Sequence, residues 1–302
     1  MNLPRLLPVF LTLLLAAHAS AAEYSVPQAV SQGHAFPAAV TDSEPFTASF
    51  GWRGEVISVP AERHGSGWKA EILLALPIDA AGSAPLTIRH GAASKDFTVR
   101  SVPVPWPQSI LKVEPKYVVP PKETQERLAR EAEESRLAYA LRTPRSWSLP
   151  FARPVPGGIT SPFGGRRVFN GKPRAPHKGT DMRSPEGAPV MAAADGTVVL
   201  AGHHYFGGKS VFIDHGQGVV STYCHLSSIG VEPGRKIRKG MELGRSGSTG
   251  RVTGPHLHFG LFVQGVAVDA MPLLSSPPAV VGGPSKTLSS DRQRKTATRK
   301  KQ

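Results

Sequence analysis

Near the C-terminal end of the chain, two histidines stand two positions apart in the stretch TGPHLHFG, residues 253–260. A Gly-Pro turn followed by an apolar run is typical of the start of a β-strand. Side chains two positions apart in a strand point to the same face of the sheet. His256 and His258 are therefore expected side by side. There, both could bind one metal ion, or one could bind it while the other transfers a proton.

A second stretch, HKGTD, offers two further metal ligands, His177 and Asp181. Imidazole nitrogen and carboxylate oxygen are both good ligands for zinc. The Gly-Thr interior disfavours a helix, so we expect a strand or a turn to bridge the two residues. Alone the motif is weak, because a histidine and an aspartate meet by chance on many polar loops.

A third stretch, TYCHL at residues 222–226, carries His225. In a strand, alternation would put Tyr223 and His225 on one face and Cys224 on the other. A lone strand histidine is more often a hydrogen-bonded surface or core residue than a ligand or a base. A free cysteine is likewise more often a small buried side chain than a reactive thiol, and we expect that of Cys224.

Together the three stretches contain enough ligands for a catalytic zinc site. Such a site uses three protein ligands and keeps one position open for water or substrate. His177, Asp181 and one histidine of the pair 256 and 258 would complete it. His225 and the other histidine would then be free to carry protons. The residues alone leave open which histidine of the pair binds the metal.

The remaining histidines near these stretches receive a structural interpretation. His203 and His204, in GHHYFGG, are expected in a loop between strands, where they could line the cleft. His215, in IDHGQG, is expected at a hairpin turn, with Asp214 as a turn-forming residue rather than a ligand.

The roles of two arginines and two tyrosines remain open. Arg166 and Arg167, in FGGRR, could bind a carboxylate of a peptide substrate or face solvent. Tyr205 and Tyr223 could assist the chemistry, but we expect both to be structural.

The elements that must position these residues are mainly β-strands. The 302-residue chain contains 31 glycines and 29 prolines, which favours many turns and short strands. Residues 1–22 have an early arginine, a short apolar run and a small-residue ending, which predicts a secretory signal peptide. The apolar run is too short to span a bilayer. A single cysteine excludes an intramolecular disulfide.

Two β domains joined by a linker are predicted for the rest. Residues 23–103 contain short apolar or alternating runs, including EVISV, WKAEILLAL, PLTIR and DFTVR, which suit a small immunoglobulin-like β-sandwich. Residues 104–146 form a Pro-rich linker and a helix over 122–142, with ion pairs Glu123–Arg127 and Glu126–Arg130. Residues 147–274 are predicted to form an antiparallel β domain that carries all three histidine stretches.

In that order, HKGTD, YCHL and GPHLHFG, with SPFGGRR, DHGQG and SGSTGR around them, resemble the lysostaphin/LytM-type zinc endopeptidases of peptidoglycan. The resemblance covers roughly residues 150–272, and the preceding β domain and helix resemble exported Gram-negative members. It implies a duplicated-hybrid-motif-like fold. It also implies Zn²⁺ held by His177, Asp181 and His258, with His225 and His256 beside it as catalytic residues. All five residues of the active pattern are present.

The resemblance implies hydrolysis of peptide cross-links in peptidoglycan, in a Gram-negative periplasm at the bond between D-alanine and diaminopimelate. A glycine-bridge substrate and a generic zinc protease stay open. The non-enzymatic alternative is an envelope regulator that activates a murein amidase. Such degenerate relatives typically lack ligands, so the complete set counts against it.

The chain is strongly basic, with a formal net charge of +14. Residues 275–302 are predicted to form a disordered basic tail, since its last 18 residues hold seven Lys or Arg against one Asp. Export argues against nucleic acid as the partner. Anionic envelope polymers or membrane surfaces fit the charge better. A further hypothesis is that the N-terminal domain or the 122–142 helix covers the cleft until a partner displaces it.

Overall fold

A computed structural model describes residues 22–275. The predicted signal peptide and basic tail lie outside the described residues, apart from one residue of each. The predicted mainly β fold is confirmed: 22 strands and few helices make up the described chain. None of its helices is long and apolar enough to cross a membrane.

Nine strands at the N-terminus form two packed sheets, as expected for a β-sandwich. One sheet has the order β1-β3-β7-β6 and the other β2-β9-β8-β4-β5. The strands are β1 Glu23–Ser25, β2 Ala29–Ser31, β3 Ala35–Asp42, β4 Thr47–Trp52, β5 Glu55–Pro60, β6 Glu62–His64, β7 Gly67–Ala75, β8 Ser83–His90 and β9 Ala93–Val102. Phe50, Ile72 and Ile88 are fully buried between the sheets.

The continuous apolar run of β7 has a structural reason. A strand covered on both faces has no solvent side and loses the usual alternation. Ile72 and Leu74 pack inside the sandwich. Leu73 and Ala75 point the other way and join the core of the C-terminal domain. The two domains therefore share buried surface along this strand.

The segment between the domains contains one strand and three helical elements. They are β10 Gln108–Leu111, α1 Pro115–Val118, a 3-10 turn Lys122–Thr124 and α2 Gln125–Tyr139. The helix predicted over 122–142 is thus present and ends a few residues early. The predicted ion pairs are wrong: Arg127 bonds forward to Glu131 over 2.6 Å, and Arg130 lies 3.8 Å from Glu134.

Aromatic stacking holds α2 against the C-terminal domain. The ring of Tyr139 stacks on that of Phe262 with centroids 3.8 Å apart and on that of Phe212 at 5.7 Å. Ala138 and Val220 are buried in the same contact. Leu137, one residue before Ala138, is 54% exposed. The C-terminal turn of the helix is thus packed on the domain, and its earlier turns are held by polar contacts such as that of Glu131 with the main-chain nitrogen of Tyr205 over 2.8 Å.

The C-terminal domain is built on one large sheet of ten strands. Its main order is β11-β14-β21-β18-β17-β16-β19, with β15, β20 and β22 attached to this path. The ten strands are β11 Ile159–Ser161, β14 Thr180–Arg183, β15 Pro189–Met191, β16 Gly196–His204, β17 Gly208–Asp214, β18 Val219–Ile229, β19 Lys236–Ile237, β20 Glu242–Ser246, β21 His256–Val263 and β22 Val266–Val268. Two further strands, β12 Arg166–Phe169 and β13 Lys172–Arg174, lie outside this sheet, and a 3-10 turn, Met271–Leu273, follows β22.

A separate three-stranded sheet joins the linker to this domain. Its order is β10-β12-β13, and β10 runs parallel to β12 with Gln108 opposite Arg166 and Leu111 opposite Phe169. The linker is thus hydrogen-bonded to the domain and does not pass over it as a free tether. The predicted domain boundaries, drawn from composition alone, stay predictions.

Candidate metal centre

Two neighbouring strands bring the first ligands together. β14 and β21 are antiparallel, with Asp181 opposite His258 and Arg183 opposite His256. Directly opposite residues project from the same face of a sheet. Asp181 Oδ1 accordingly lies 2.8 Å from Nδ1 of His258. Leu257 and Phe259, which alternate with the histidines, are fully buried on the core side. The predicted common face of His256 and His258 is confirmed.

His177 reaches the same point from the turn before β14. Its Nε2 atom lies 2.9 Å from His258 Nδ1 and 3.1 Å from Asp181 Oδ1. The turn passes very close to β21 at Gly179, where an added Cβ would lie 2.6 Å from the main-chain oxygen of Phe259 and 2.7 Å from Nε2 of His258. Glycine in the HKGTD stretch is therefore required by this close approach.

The three donor atoms fit a zinc ion. Nδ1 of His177 lies 3.0 Å from the carbonyl oxygen of Pro162, which can only accept, so this nitrogen carries the proton. Burial lowers the pKa of His177 to about 4, which leaves its Nε2 as a lone pair at neutral pH. That lone pair and Asp181 Oδ1 face each other as two acceptors. Two imidazole nitrogens and one carboxylate oxygen are a usual zinc donor set, and a cation between them removes the repulsion.

The second oxygen of Asp181 is held by an arginine. Nη2 of Arg167 lies 3.0 Å from Asp181 Oδ2, so one of the two arginines left open by the sequence contacts a ligand. Burial alone would raise the pKa of Asp181. The neighbouring imidazoles of His177 and His258 outweigh it and hold the pKa far below the usual range. Asp181 is therefore a carboxylate at any working pH.

His225 reaches the site by a break in strand alternation. Cys224 is opposite His258 and Tyr223 opposite Phe259, so Cys224 faces the metal side and Tyr223 the core. Regular alternation would turn His225 to the core, but its φ of +67° rotates it to the metal side. Its ring lies 4.9 Å from that of His256 and 5.8 Å from that of His258. The predicted shared face of Tyr223 and His225 is wrong for this reason.

The two histidines beside the ligands have the same hydrogen-bonding arrangement. Nδ1 of His225 donates to the carbonyl oxygen of Thr249 over 2.9 Å, and Nδ1 of His256 donates to that of Gly254 over 2.8 Å. In each neutral ring the lone pair is then on Nε2. Nε2 of His256 lies 3.7 Å from Asp181 Oδ1, at the edge of the donor set. Both rings thus have a proton acceptor free beside the candidate metal position.

The linker covers this centre. A small cavity of about 50 Å³ beside the ligands is lined by Leu111 and Val113 of the linker, and by Asp181, His225 and His256 among others. Tyr117 of α1 packs edge-on against Tyr205, whose hydroxyl donates to the carbonyl oxygen of Lys116 over 2.9 Å. In this conformation the space is too small for a peptide.

The structure also decides the predictions made for the other histidines, for Asp214 and for Cys224. His203 and His204 end β16 against helix α2, so the idea that they line the metal cleft is wrong. His215 is buried, and Asp214 accepts from the main-chain nitrogen of Gly216, as expected of a turn former. Cys224 is a buried thiol, as expected, and burial raises its pKa to about 11.

Tyr223 and Tyr205 are structural. The hydroxyl oxygen of Tyr223 accepts a hydrogen bond from the main-chain nitrogen of Ala193 over 2.8 Å in the core. Tyr205 bonds to the linker. Arg251, to which no role was assigned from the sequence, lines the small cavity beside His225 and His256. The available signal was its position as the last residue of the SGSTGR stretch, five residues before His256.

Comparisons with known proteins place this domain. The profile of peptidase family M23 matches residues 175–270. The solved structure of an M23 peptidase from Pseudomonas aeruginosa is 32% identical, with a TM-score of 0.57 over 74% of this chain and 86% of that one. The chain belongs to peptidase family M23.

Two curated relatives from this family carry more specific names. The peptidoglycan DD-endopeptidase ShyA of Vibrio cholerae is 46% identical over 125 residues, which is 40% of this chain and 29% of ShyA. The DD-carboxypeptidase/endopeptidase Mpg of Neisseria meningitidis is 34% identical over 139 residues, 46% of this chain and 32% of Mpg. The chain thus spans about a third of the length of the curated relatives it matches.

Proposed function

We propose that this M23 protein is a zinc-dependent DD-endopeptidase that hydrolyses the peptide cross-links of peptidoglycan. One observation carries the proposal: two metal-side histidines with free Nε2 lone pairs stand beside a complete His-Asp-His donor set. The names of ShyA and Mpg, and their identity to this domain, support the substrate. His177, Asp181 and His258 hold the metal in this proposal.

The chain's own residues supply proton transfer and positioning. When bound, zinc acts as a Lewis acid and lowers the pKa of water beside it. Burial, followed by the charges of His258 and His256, lowers the pKa of His225 to about 3, so its ring is neutral at pH 7. A neutral Nε2 can take a proton from water as the hydroxyl adds to the scissile carbonyl. The same proton can then go to the leaving amine. His225 and His256 share this role.

We further propose that the scissile bond joins D-alanine to diaminopimelate. The DD-endopeptidase names of the relatives favour this bond over a glycine bridge. The protein would act in the periplasm after removal of the predicted signal peptide. The net charge of +14 suits anionic envelope polymers as additional partners.

The alternative is an envelope regulator without activity of its own, which would stimulate a murein amidase. The linker over the metal centre is the observation that favours it, since a covered site cannot admit a cross-link. The complete donor set and the two free imidazoles favour the enzyme. A covered but intact site is also what a latent enzyme would present.

The test is digestion of purified sacculi by the full-length protein, with mass analysis of the released muropeptides and zinc content measured in parallel. Four proteins are compared: wild type, His177→Ala, His225→Ala and the control His203→Ala, which alters a histidine against α2. Wild type and the control should release cleaved cross-links and bind zinc. His177→Ala should lose both properties, and His225→Ala should keep zinc but lose cleavage.

The outcomes separate the alternatives. Zinc-loaded wild type that releases no fragments, yet stimulates an added amidase, would replace the enzyme with the regulator. Loss of zinc in His225→Ala would contradict its assignment as a proton carrier. Efficient cleavage of casein in place of sacculi would indicate a general protease.

A further inference from the structure

Two arginines, Arg167 and Arg251, line the cavity beside the candidate metal ligands, and a third, Arg174, lies close enough to affect the pKa of Arg251. Arg167 pairs with Asp181, the one carboxylate among the residues that line this cavity. Arg174 donates from Nη2 to the carbonyl oxygen of Val118 in the linker. Within residues 22–275, Arg251 has no carboxylate within 4.0 Å and its side chain makes no hydrogen bond to another residue. The cavity therefore carries a net positive charge before any metal is added.

The guanidinium of Arg251 is nevertheless held firmly in place. Its central carbon lies 4.6 Å from the ring centroid of Phe206 and 4.9 Å from that of Phe169. Its main-chain nitrogen donates to the carbonyl oxygen of Phe206 over 2.9 Å. Two aromatic faces fix a planar cation by cation–π attraction and leave its in-plane N–H donors free. Arg251 is thus a positioned donor beside His225, His256 and Asp181.

A partly desolvated, positioned charge without a partner is costly unless an anion joins it. Burial and the positive charges of Arg167 and Arg174 lower the pKa of Arg251 to about 10, so it stays charged at neutral pH. The Nε atoms of Arg167 and Arg174 are also buried without a hydrogen-bond partner. An anion in the cavity would stabilise the charges of Arg167 and Arg251, which both line it.

We propose that Arg251 binds a free carboxylate of the substrate on the leaving-amine side of the scissile bond, and that this contact selects the cross-link. The inference rests on the proposed endopeptidase function. In a cross-link to diaminopimelate, the carbon that bears the leaving nitrogen also bears a carboxylate. A glycine bridge has no carboxylate there. A guanidinium binds a carboxylate through two parallel hydrogen bonds, which makes Arg251 a specificity-determining residue.

The experiment uses the zinc-loaded full-length protein and two soluble cross-linked muropeptide dimers. One dimer has the free carboxylate beside the scissile nitrogen, and the other has a carboxamide there. Wild type is compared with Arg251→Met, which keeps an apolar chain between the rings, and with Arg251→Lys, which keeps the charge. Arg245→Met is the control, since Arg245 pairs with Glu242 at the surface, away from the cavity.

Charged hydrogen bonds contribute about 1.5–3 kcal/mol, which corresponds to about 10- to 150-fold in kcat/KM. Wild type and Arg245→Met should prefer the carboxylate dimer by that factor, mainly through KM. Arg251→Met should cleave both dimers at the wild-type carboxamide rate and retain zinc, and Arg251→Lys should restore part of the preference. Equal cleavage of both dimers by wild type would overturn the inference while leaving the endopeptidase function intact. A uniform slowing of both dimers in Arg251→Met would reduce Arg251 to a packing role.

If neither dimer is cleaved, that result counts against the proposed endopeptidase function. A binding measurement then tests the role of Arg251 separately. Calorimetric titration then compares the carboxylate and carboxamide forms of the product peptide. Tighter binding of the carboxylate by wild type, lost in Arg251→Met, would support the inference independently of activity. Equal or undetectable binding of both forms would overturn it.

Discussion

His225 donates from Nδ1 to the main-chain oxygen of Thr249 over 2.9 Å, and this bond fixes which of its nitrogens faces the metal ligands. Thr249 is in turn packed against Gly208 at the start of β17. A Cβ at Gly208 would lie 2.3 Å from Thr249 Oγ1 and 2.4 Å from its main-chain oxygen, and φ there is +62°. The orientation of His225 therefore depends on a glycine on a neighbouring strand.

Replacement of Gly208 by alanine should displace Thr249 and tilt His225. We expect at least a tenfold loss of sacculus digestion with zinc content unchanged, because the three metal ligands are elsewhere. Strain at the positive φ should also lower the free energy of unfolding by about 1–3 kcal/mol. The matched control is Gly202→Ala, where nothing lies within 4 Å of the added Cβ. Full activity in Gly208→Ala would disprove the dependence.

Arg167 should tune metal affinity, because it holds the oxygen of Asp181 that does not face the histidines. Loss of such a supporting contact typically weakens metal binding by about 10- to 100-fold. Arg167→Met should show this loss in a chelator competition titration. Arg166→Met alters the exposed neighbour and should bind zinc like wild type. Equal affinities in the two variants would show that the ion pair does not support the ligand.

The linker should restrain activity. Tyr117 packs against Tyr205 and Phe206, and Tyr117→Ala should loosen the segment that covers the centre. If the substitution lowers the free energy that favours the closed linker by about 1–2 kcal/mol, the fraction of molecules with an open linker rises by about 5- to 30-fold. The initial rate of muropeptide release should rise by a similar factor while closed molecules predominate. Lys112→Ala, at an exposed linker position, is the control. An unchanged rate in Tyr117→Ala would mean that opening does not limit catalysis.

Helix α2 should depend on its last aromatic residue for attachment. Tyr139→Ala removes the ring that stacks on Phe262 and Phe212, and truncation of a packed aromatic costs about 3 kcal/mol. Urea denaturation should show this loss, whereas Leu137→Ala at a half-exposed position of the same helix should change stability by less than 1 kcal/mol. Comparable effects in the two variants would exclude the aromatic attachment.

His215 should make the fold sensitive to acid. It is fully buried, Nδ1 lies 2.7 Å from the carbonyl oxygen of Asp195, and burial lowers its pKa. The unfolded chain, with a histidine pKa of about 6.5, therefore binds the proton first as the pH falls. The free energy of unfolding should drop below about pH 6.5 by up to roughly 1.4 kcal/mol per pH unit from this residue.

Denaturant midpoints of chelated protein at pH 7 and pH 5 check this expectation. His215→Gln should lose that share of the pH dependence, while His64→Gln, at an exposed position of β6, should keep it. Identical pH dependence in wild type and His215→Gln would assign the acid sensitivity to other groups.

Strand periodicity predicted much of this molecule, because a strand with one buried face records that face in its sequence. His256 and His258 could be placed on one side of β21 for this reason, and the apolar runs of the sandwich could be placed as strands. The donor set followed from residue types combined with the family resemblance. The predicted helix was also confirmed, because its helix-forming residues are continuous.

What could not be predicted depends on contacts distant in sequence. The left-handed φ of His225 overrides alternation, and no local residue type signals it. Arg251 depends on two phenylalanines from different parts of the chain. The pairing of β10 with β12 turns a Pro-rich segment into part of a sheet. Each of these is a tertiary contact that overrides local preference.

The buried Cys224 has a practical consequence for following the linker in solution. Its thiol, with a pKa near 11, is protonated at neutral pH and inaccessible, so maleimide reagents would react first with a cysteine introduced at the surface. Paired spectroscopic probes could then be attached at exposed positions such as Lys112 and Arg183 without replacing Cys224. Because Cys224 does not react with the labelling reagent, distances across the covered site can be measured without first removing a native cysteine.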